Sequence, residues 1–125
     1  QRTLLYVFRP EMVEAYTEKP YIARFLQSYG YHPHSGISQL LDHLSQRFQE
    51  DGCFPHESGI FLGYPLADVL GFITNKGNHA KLCGEWKVYG DVRQAATLFH
   101  AYTCCRKDYM DRFAVGTTLE KLIVA

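Results

Sequence analysis

The chain has 125 residues and a formal net charge of zero, since 13 basic side chains balance 13 acidic ones. Hydrophobic residues make up 46% of it and charged residues 21%, a composition that excludes a disordered segment and indicates a folded protein. The basic residues are scattered, so we expect no nucleic-acid partner. The longest apolar stretch, residues 60–73, is too short for a membrane span and contains a proline and an aspartate, so we expect no membrane partner.

Length and cysteine content bound the organisation of the protein. The length predicts a single domain over residues 1–125, and the start at Gln1 rather than Met suggests that an N-terminal segment is missing. Four cysteines at irregular spacing are too few for a disulfide framework. Cys104 and Cys105 are adjacent, and a disulfide between neighbours would be strained. We therefore expect reduced thiols and a cytoplasmic location.

The first part of the chain reads as one strand followed by three helices. Residues 3–8 (TLLYVF) are a continuous apolar run rich in β-formers, which predicts a buried strand. Pro10 and Pro20 are each predicted to begin a helix, because proline suits the first helical position. Apolar residues at helical spacing predict a third helix between Ile37 and Phe48.

The second part alternates strands and helices. Residues 59–63 (GIFLG) are predicted to form the second strand, followed by a helix that begins at Pro65. Residues 86–89 (WKVY) predict the third strand. Asp91 is predicted to cap the last long helix and Gly116 to end it.

These elements together predict an α+β (mixed α/β) fold in which helices pack on a three-stranded sheet. The second and third strands are joined through a helix, so we expect them to be parallel with a right-handed crossover. Loops would then fall on two opposite edges of the sheet, about 20 Å apart for a strand of six residues. Each edge is a separate candidate site.

At the first edge, each predicted strand runs into a helix. Helix N-termini offer free N–H groups to an anion, and open α/β sheets commonly bind ligands on this side. No dinucleotide-binding fingerprint and no P-loop are present, and the same residues equally serve tight turns and helix starts. The candidate ligand-binding residues of this edge are Arg9, Gly63, Tyr64, Lys87, Tyr89, Gly90 and Asp91.

At the second edge, His56 and Glu57 place an imidazole beside a carboxylate, a pair that could transfer protons. They are the candidate catalytic residues. The motif is not H-E-x-x-H, because Ile60 stands where the second histidine would be, and this excludes the zinc-protease pattern. Structural capping or hydrogen bonding is the alternative interpretation of the pair.

Two further pairs have the spacing of metal ligands. Cys53 precedes His56 by three residues, and His79 precedes Cys83 by four. A tetrahedral Cys2His2 zinc site is one interpretation, although isolated cysteines and histidines in loops are more often ordinary residues. We predict that no metal is bound here.

Three segments are distinctive: residues 54–66 (FPHESGIFLGYPL), residues 86–91 (WKVYGD) and residues 5–10 (LYVFRP). Together they resemble an uncharacterised bacterial family, domain-of-unknown-function family 3793, over nearly the whole chain. The resemblance implies a small cytoplasmic protein of anaerobic-type bacteria and no established activity. The family pattern differs from the chain at Ser58, and its members have a further N-terminal segment. Residues of the chain that match the pattern are His56, Glu57, Gly63, Tyr64, Trp86, Lys87, Tyr89 and Asp91, whereas Cys53, His79 and Cys83 are not part of it.

The leading functional prediction is a ligand-binding or regulatory module, because no nucleophile motif or cofactor-binding loop is present. Its partner would be an unknown small molecule or protein, its cofactor is unknown, and the sequence is compatible with a homo-oligomer. A small enzyme that uses His56 and Glu57 for acid–base chemistry is the first alternative. A Cys/His metal-binding protein is the second.

Overall fold

The computed structural model describes residues 4–50 and 54–122, which belong to two compact units, Gln1–Asn78 and His79–Ala125. Within these residues the first unit contains five helices and the second a two-stranded sheet with two helices. The helices of the first unit are α1 (Pro10–Thr17), α2 (Pro20–Gln27), α3 (Ile37–Gln49), α4 (Ser58–Phe61) and α5 (Leu66–Asn75). The second unit contains β1 (Leu82–Cys83), β2 (Lys87–Val88), α6 (Val92–Ala114) and α7 (Leu119–Leu122).

The starts of α1 and α2 confirm the predictions from proline. Pro10 and Pro20 each occupy the first turn of a helix, where the missing N–H leaves no hydrogen bond unmade. In α2 the apolar face is buried, and Ile22 and Leu26 are fully inaccessible to solvent. They form the core of the first unit with residues from the other helices, including Leu40, Leu44, Ile60, Phe61 and Val69.

The prediction of a first strand is wrong for residues 4–8, which have no regular secondary structure; Thr3 lies outside the described residues. The apolar run is not buried on both faces, since Leu5 is 88% exposed and Val7 is 84% exposed. Tyr6 and Phe8 turn the other way, and their rings stack with centroids 4.7 Å apart. The Tyr6 hydroxyl donates to the Phe61 carbonyl, so this segment is anchored by side chains rather than by a β-ladder.

The prediction of a second strand over residues 59–63 is also wrong. Residues 59–61 belong to α4 together with Ser58, and all four residues of this short helix are buried. Gly63 ends the turn with φ of +86°, a conformation that favours glycine, while the Tyr64 N–H donates to the Gly59 carbonyl at 2.9 Å. A buried apolar run of five residues satisfies either a strand or a helical turn, so its periodicity could not distinguish them.

The sheet is antiparallel, which overturns the predicted three-stranded sheet with a parallel βαβ unit. In the described residues, β1 pairs with β2, and Leu82 faces Val88 in the register. Only residues 84–86 connect the two strands, and a connection this short permits a hairpin but not a parallel crossover. The predicted third strand does contain β2, but its partner is β1, which was not among the predicted strands. The described part of the chain is therefore mostly helical and contains one small hairpin.

The boundaries of α6 confirm their predictions. The Asp91 carboxylate accepts a hydrogen bond from the Gln94 N–H at 3.0 Å, as an N-cap does. The helix ends at Ala114, and Gly116 follows with φ of +95°. Among the described helices, none combines the length and apolarity required to cross a membrane.

The core of the second unit is small. Val88 and Ala95 are buried, and the Trp86 ring packs edge-on against Phe99 with centroids 4.7 Å apart. Gly84 lies directly against that phenyl ring. A Cβ atom added at Gly84 would stand only 2.3 Å from Phe99 Cε2. The hairpin therefore approaches α6 at a position where a side chain does not fit.

Replacing Gly84 by alanine is expected to destabilise the second unit by about 1–3 kcal/mol, because the added methyl group must displace the packed Phe99 ring. The measurement is urea unfolding followed by fluorescence of Trp86, the single tryptophan of the chain. Gly84→Ala combined with Phe99→Leu should cost less than the two single changes added together, since the shorter side chain leaves room for the methyl group. Additive costs would contradict the steric explanation.

Candidate functional site

The residues predicted to form the first ligand-binding edge are divided between the two units. In the first unit, the Arg9 carbonyl accepts hydrogen bonds from the N–H groups of Met12 and Val13, both at 3.1 Å, at the start of α1. The Tyr64 carbonyl accepts from the Tyr16 hydroxyl at 2.6 Å, while Gly63 makes the positive-φ turn described above. Residues 4–50 and 54–122 do not form the sheet edge that was expected to gather these residues, and their role in binding stays a prediction.

The other members of that predicted edge flank the start of α6. Lys87 is exposed on β2, and Tyr89 is half-buried. The Gly90 carbonyl accepts from Lys81 Nζ at 3.4 Å. With Asp91 capping α6, these residues join the hairpin to the helix. Whether they also bind a ligand stays a prediction.

His56 and Glu57, the predicted catalytic pair, have opposite environments. His56 is exposed, and its ring centroid lies 5.8 Å from that of Phe72. Glu57 is fully buried, with 0% of its surface accessible. Adjacent residues in the sequence are thus presented on different sides of the backbone, one toward solvent and one into the core.

The Glu57 carboxylate is held by two donors from distant parts of the first unit. Arg47 Nε, on α3, donates to Glu57 Oε2 at 2.7 Å, and its Nη2 donates to Oε1 at 3.4 Å. The Tyr31 hydroxyl donates to Oε2 at 3.0 Å. We call these three residues the Glu57 network.

Aromatic groups surround the network. The Tyr31 ring packs edge-on against His43 with centroids 4.2 Å apart, and the His43 Nε2 atom lies 2.9 Å from the Tyr29 carbonyl. The Arg47 guanidinium lies over the Tyr29 ring, 5.3 Å from its centroid. The network thus joins α3, the loop after α2 and the start of α4.

Electrostatics keep Glu57 ionised. Burial alone raises the pKa of its carboxyl, but the hydrogen bonds from Arg47, from the backbone and from Tyr31 outweigh burial and lower the pKa below the ordinary value. Burial and the neighbouring carboxylate raise the pKa of Tyr31, so its hydroxyl keeps its proton. An efficient proton-transfer group has a pKa close to the working pH, whereas the pKa of Glu57 is shifted further below neutrality. The arrangement suits a structural ion pair, and a catalytic role for His56 and Glu57 stays a prediction.

The residues considered for a zinc site include one that lies outside the described residues, Cys53. His79 has a left-handed backbone with φ of +63°, and Cys83 is exposed on β1. Within residues 4–50 and 54–122, no group of three or more histidine, cysteine, aspartate or glutamate side chains converges on one point.

An apolar groove of about 600 Å³ lies in the first unit, between residues 4–8, α3 and the region of α4. Described side chains that line it are Leu4, Leu5, Tyr6, Phe8, Leu41, Leu44, Ser45, Phe48, Phe54, Ser58, Phe61 and Leu62. None of these described residues is charged. Several are exposed, among them Phe54 at 59% and Leu62 at 51%, so the groove is open to solvent.

Two side-chain hydrogen bonds shape the groove. The Tyr6–Phe61 hydrogen bond fixes residues 4–8 against α4. The Ser58 hydroxyl donates to the Pro55 carbonyl at 2.6 Å, so its proton is already used in a hydrogen bond within the protein. The sequence predicted strands over residues 3–8 and 59–63 and a helix between Ile37 and Phe48, and none of these predictions included a groove between them.

Comparison with known protein families places the chain in one of them. A sequence model of the family described as "Protein of unknown function (DUF3793)" matches residues 1–123. Comparison with curated proteins and with solved structures gave no match. The match to the family model covers essentially the whole chain, as the resemblance of its three distinctive segments predicted. The chain belongs to the DUF3793 family.

Proposed function

We propose that this protein binds an uncharged, largely apolar small molecule in the groove of its first unit. A long-chain alcohol, or another neutral molecule with an alkyl chain, has the required properties. The observation that carries the proposal is the groove itself. Its volume of about 600 Å³ falls in the range typical of small-molecule sites. Exposed apolar surface of this kind is costly to leave in water, which favours a binding role.

The chemistry of the lining defines the class of ligand. Leucine and aromatic side chains dominate, and the polar groups among the described lining residues are hydroxyls. Tyr6 and Ser58 already donate to backbone carbonyls, so they are not donors for a ligand. A buried carboxylate or phosphate would lack a compensating cation among these lining residues, and burying an unpaired charge is expensive. A neutral apolar ligand is therefore favoured over an anionic one.

Ser45 offers a way to block the groove. It lies on α3 in the same stripe as Leu41, Leu44 and Phe48, and it is exposed, so a larger side chain there need not disturb the core. Ser45→Phe is expected to weaken binding of N-phenyl-1-naphthylamine, an uncharged fluorescent probe, at least about tenfold by filling the groove. Fluorescence titration measures the loss.

Ser38→Phe is the matched control, since it makes the same change at an exposed position of the same helix that does not line the groove. It should leave probe affinity unchanged. Dodecanol should displace the probe at least as well as dodecanoate, because no cation among the described lining residues favours the carboxylate. Equal binding by both serine variants would contradict the groove as the site, and a strong preference for dodecanoate would contradict the proposed ligand chemistry.

A further inference from the structure

The middle of α6 brings a thiol and an imidazole together. His100 and Cys104 are four residues apart, so they lie one turn apart on the same face of the helix. The Cys104 Sγ atom is 3.5 Å from His100 Nε2. Both side chains are exposed, and Cys104 forms no disulfide. This pair is independent of the groove in the first unit.

We propose that His100 and Cys104 chelate a zinc ion. Zinc binds sulfur at about 2.3 Å and nitrogen at about 2.0–2.1 Å in tetrahedral geometry, which separates the two donor atoms by about 3.5 Å. The separation of Cys104 Sγ and His100 Nε2 matches this value, so the two donor atoms already have the spacing that one zinc ion requires. Neutral imidazole and thiolate are the protein ligands that zinc prefers, and they discriminate against magnesium and calcium.

The site is a two-ligand chelate. Within the described part of the chain, no third histidine, cysteine or carboxylate joins the pair; Asp108, one turn beyond Cys104, is paired with Arg112 at 3.1 Å. Water completes the coordination shell of the ion. On binding, the thiol loses its proton to the buffer and the thiolate forms the Zn–S bond. With two of the four ligands of a structural site, we expect a Kd on the order of 1–100 µM.

The chain contains its own control for this site. Cys105 is exposed and adjacent to Cys104, but the residue four positions before it is Ala101, which offers no imidazole. Cys105→Ser therefore removes a thiol of the same kind without removing a chelating pair. All of these side chains are exposed on α6, so their replacement should leave the fold intact, which circular dichroism verifies.

The experiment is titration of the full reduced chain with zinc against a chromogenic chelator, together with the thiolate charge-transfer absorption of bound cobalt. His100→Ala and Cys104→Ser should each weaken zinc binding at least about tenfold, with loss of the cobalt band for Cys104→Ser, whereas Cys105→Ser should change neither. Adding Ala101→His to the double variant His100→Ala, Cys104→Ser creates a pair with Cys105 and should restore binding. An unchanged affinity in His100→Ala, an equal loss in Cys105→Ser, or a Kd above about 1 mM for the native chain would overturn the proposal.

Discussion

Replacing Glu57 by alanine is expected to lower the free energy of unfolding by about 3 kcal/mol, measured by urea denaturation followed by circular dichroism. The change leaves the Tyr31 hydroxyl buried without its acceptor and leaves Arg47 without its main partner. Removing one member of a buried ion pair costs more than the pair contributes, because the remaining groups stay desolvated. The Arg47 side chain is 27% exposed and recovers some hydration. We therefore expect a loss at the lower end of the range of about 3–5 kcal/mol that is typical when one partner of a buried ion pair is removed.

Glu50→Ala is the matched control, because Glu50 accepts from the same arginine at 3.2 Å but is 57% exposed. It should cost no more than about 0.5 kcal/mol. A lowered folded-state pKa means that Glu57 contributes stability above its ordinary value of 4.5, and this contribution is lost as the pH falls below that value. The stability difference between the native chain and Glu57→Ala should therefore be full at pH 7 and shrink in acid. A difference that grows as the pH falls would contradict the assigned direction.

Replacing Leu26 by alanine is expected to destabilise the first unit by about 3 kcal/mol, because a fully buried side chain is replaced by a cavity. Leu26 packs in the core with Ile22, Tyr31 and Leu40. Gln27→Ala, an exposed position in the same helix, should change the free energy of unfolding by less than about 0.5 kcal/mol. Equal effects of the two substitutions would contradict the placement of α2.

The Leu26→Ala variant also tests the prediction of a single domain. Trp86 lies in the second unit, so its fluorescence follows that unit, while circular dichroism follows helices in both. If the chain is one cooperative domain, both signals shift to lower urea concentration together. A shift in circular dichroism alone would show that the units unfold separately and that the single-domain prediction is wrong.

Local chemistry determined much of the helical part of this protein. Proline fixes φ near its helical value, and this predicted the starts of α1 and α2. The Asp91 side chain satisfies an N–H group that a helix start leaves unpaired, and a positive φ at Gly116 follows the end of α6. These signals act within a few residues, so a single sequence is sufficient to recognise them. Family membership was likewise evident from three contiguous segments.

Tertiary structure decided the features that depend on distant partners. A short apolar run becomes a strand only if another strand pairs with it. Residues 4–8 instead contact α4 through the Tyr6–Phe61 hydrogen bond, and residues 59–61 form part of α4 itself. The groove is built from three segments separated in the sequence, and Glu57 meets donors 10 and 26 residues away. His56 and Glu57 are adjacent in the sequence and resemble one functional pair, yet Glu57 is buried against Tyr31 and Arg47 whereas His56 is exposed. Such pairings are set by which surfaces exclude water together, and that is a property of the packed chain rather than of any one segment.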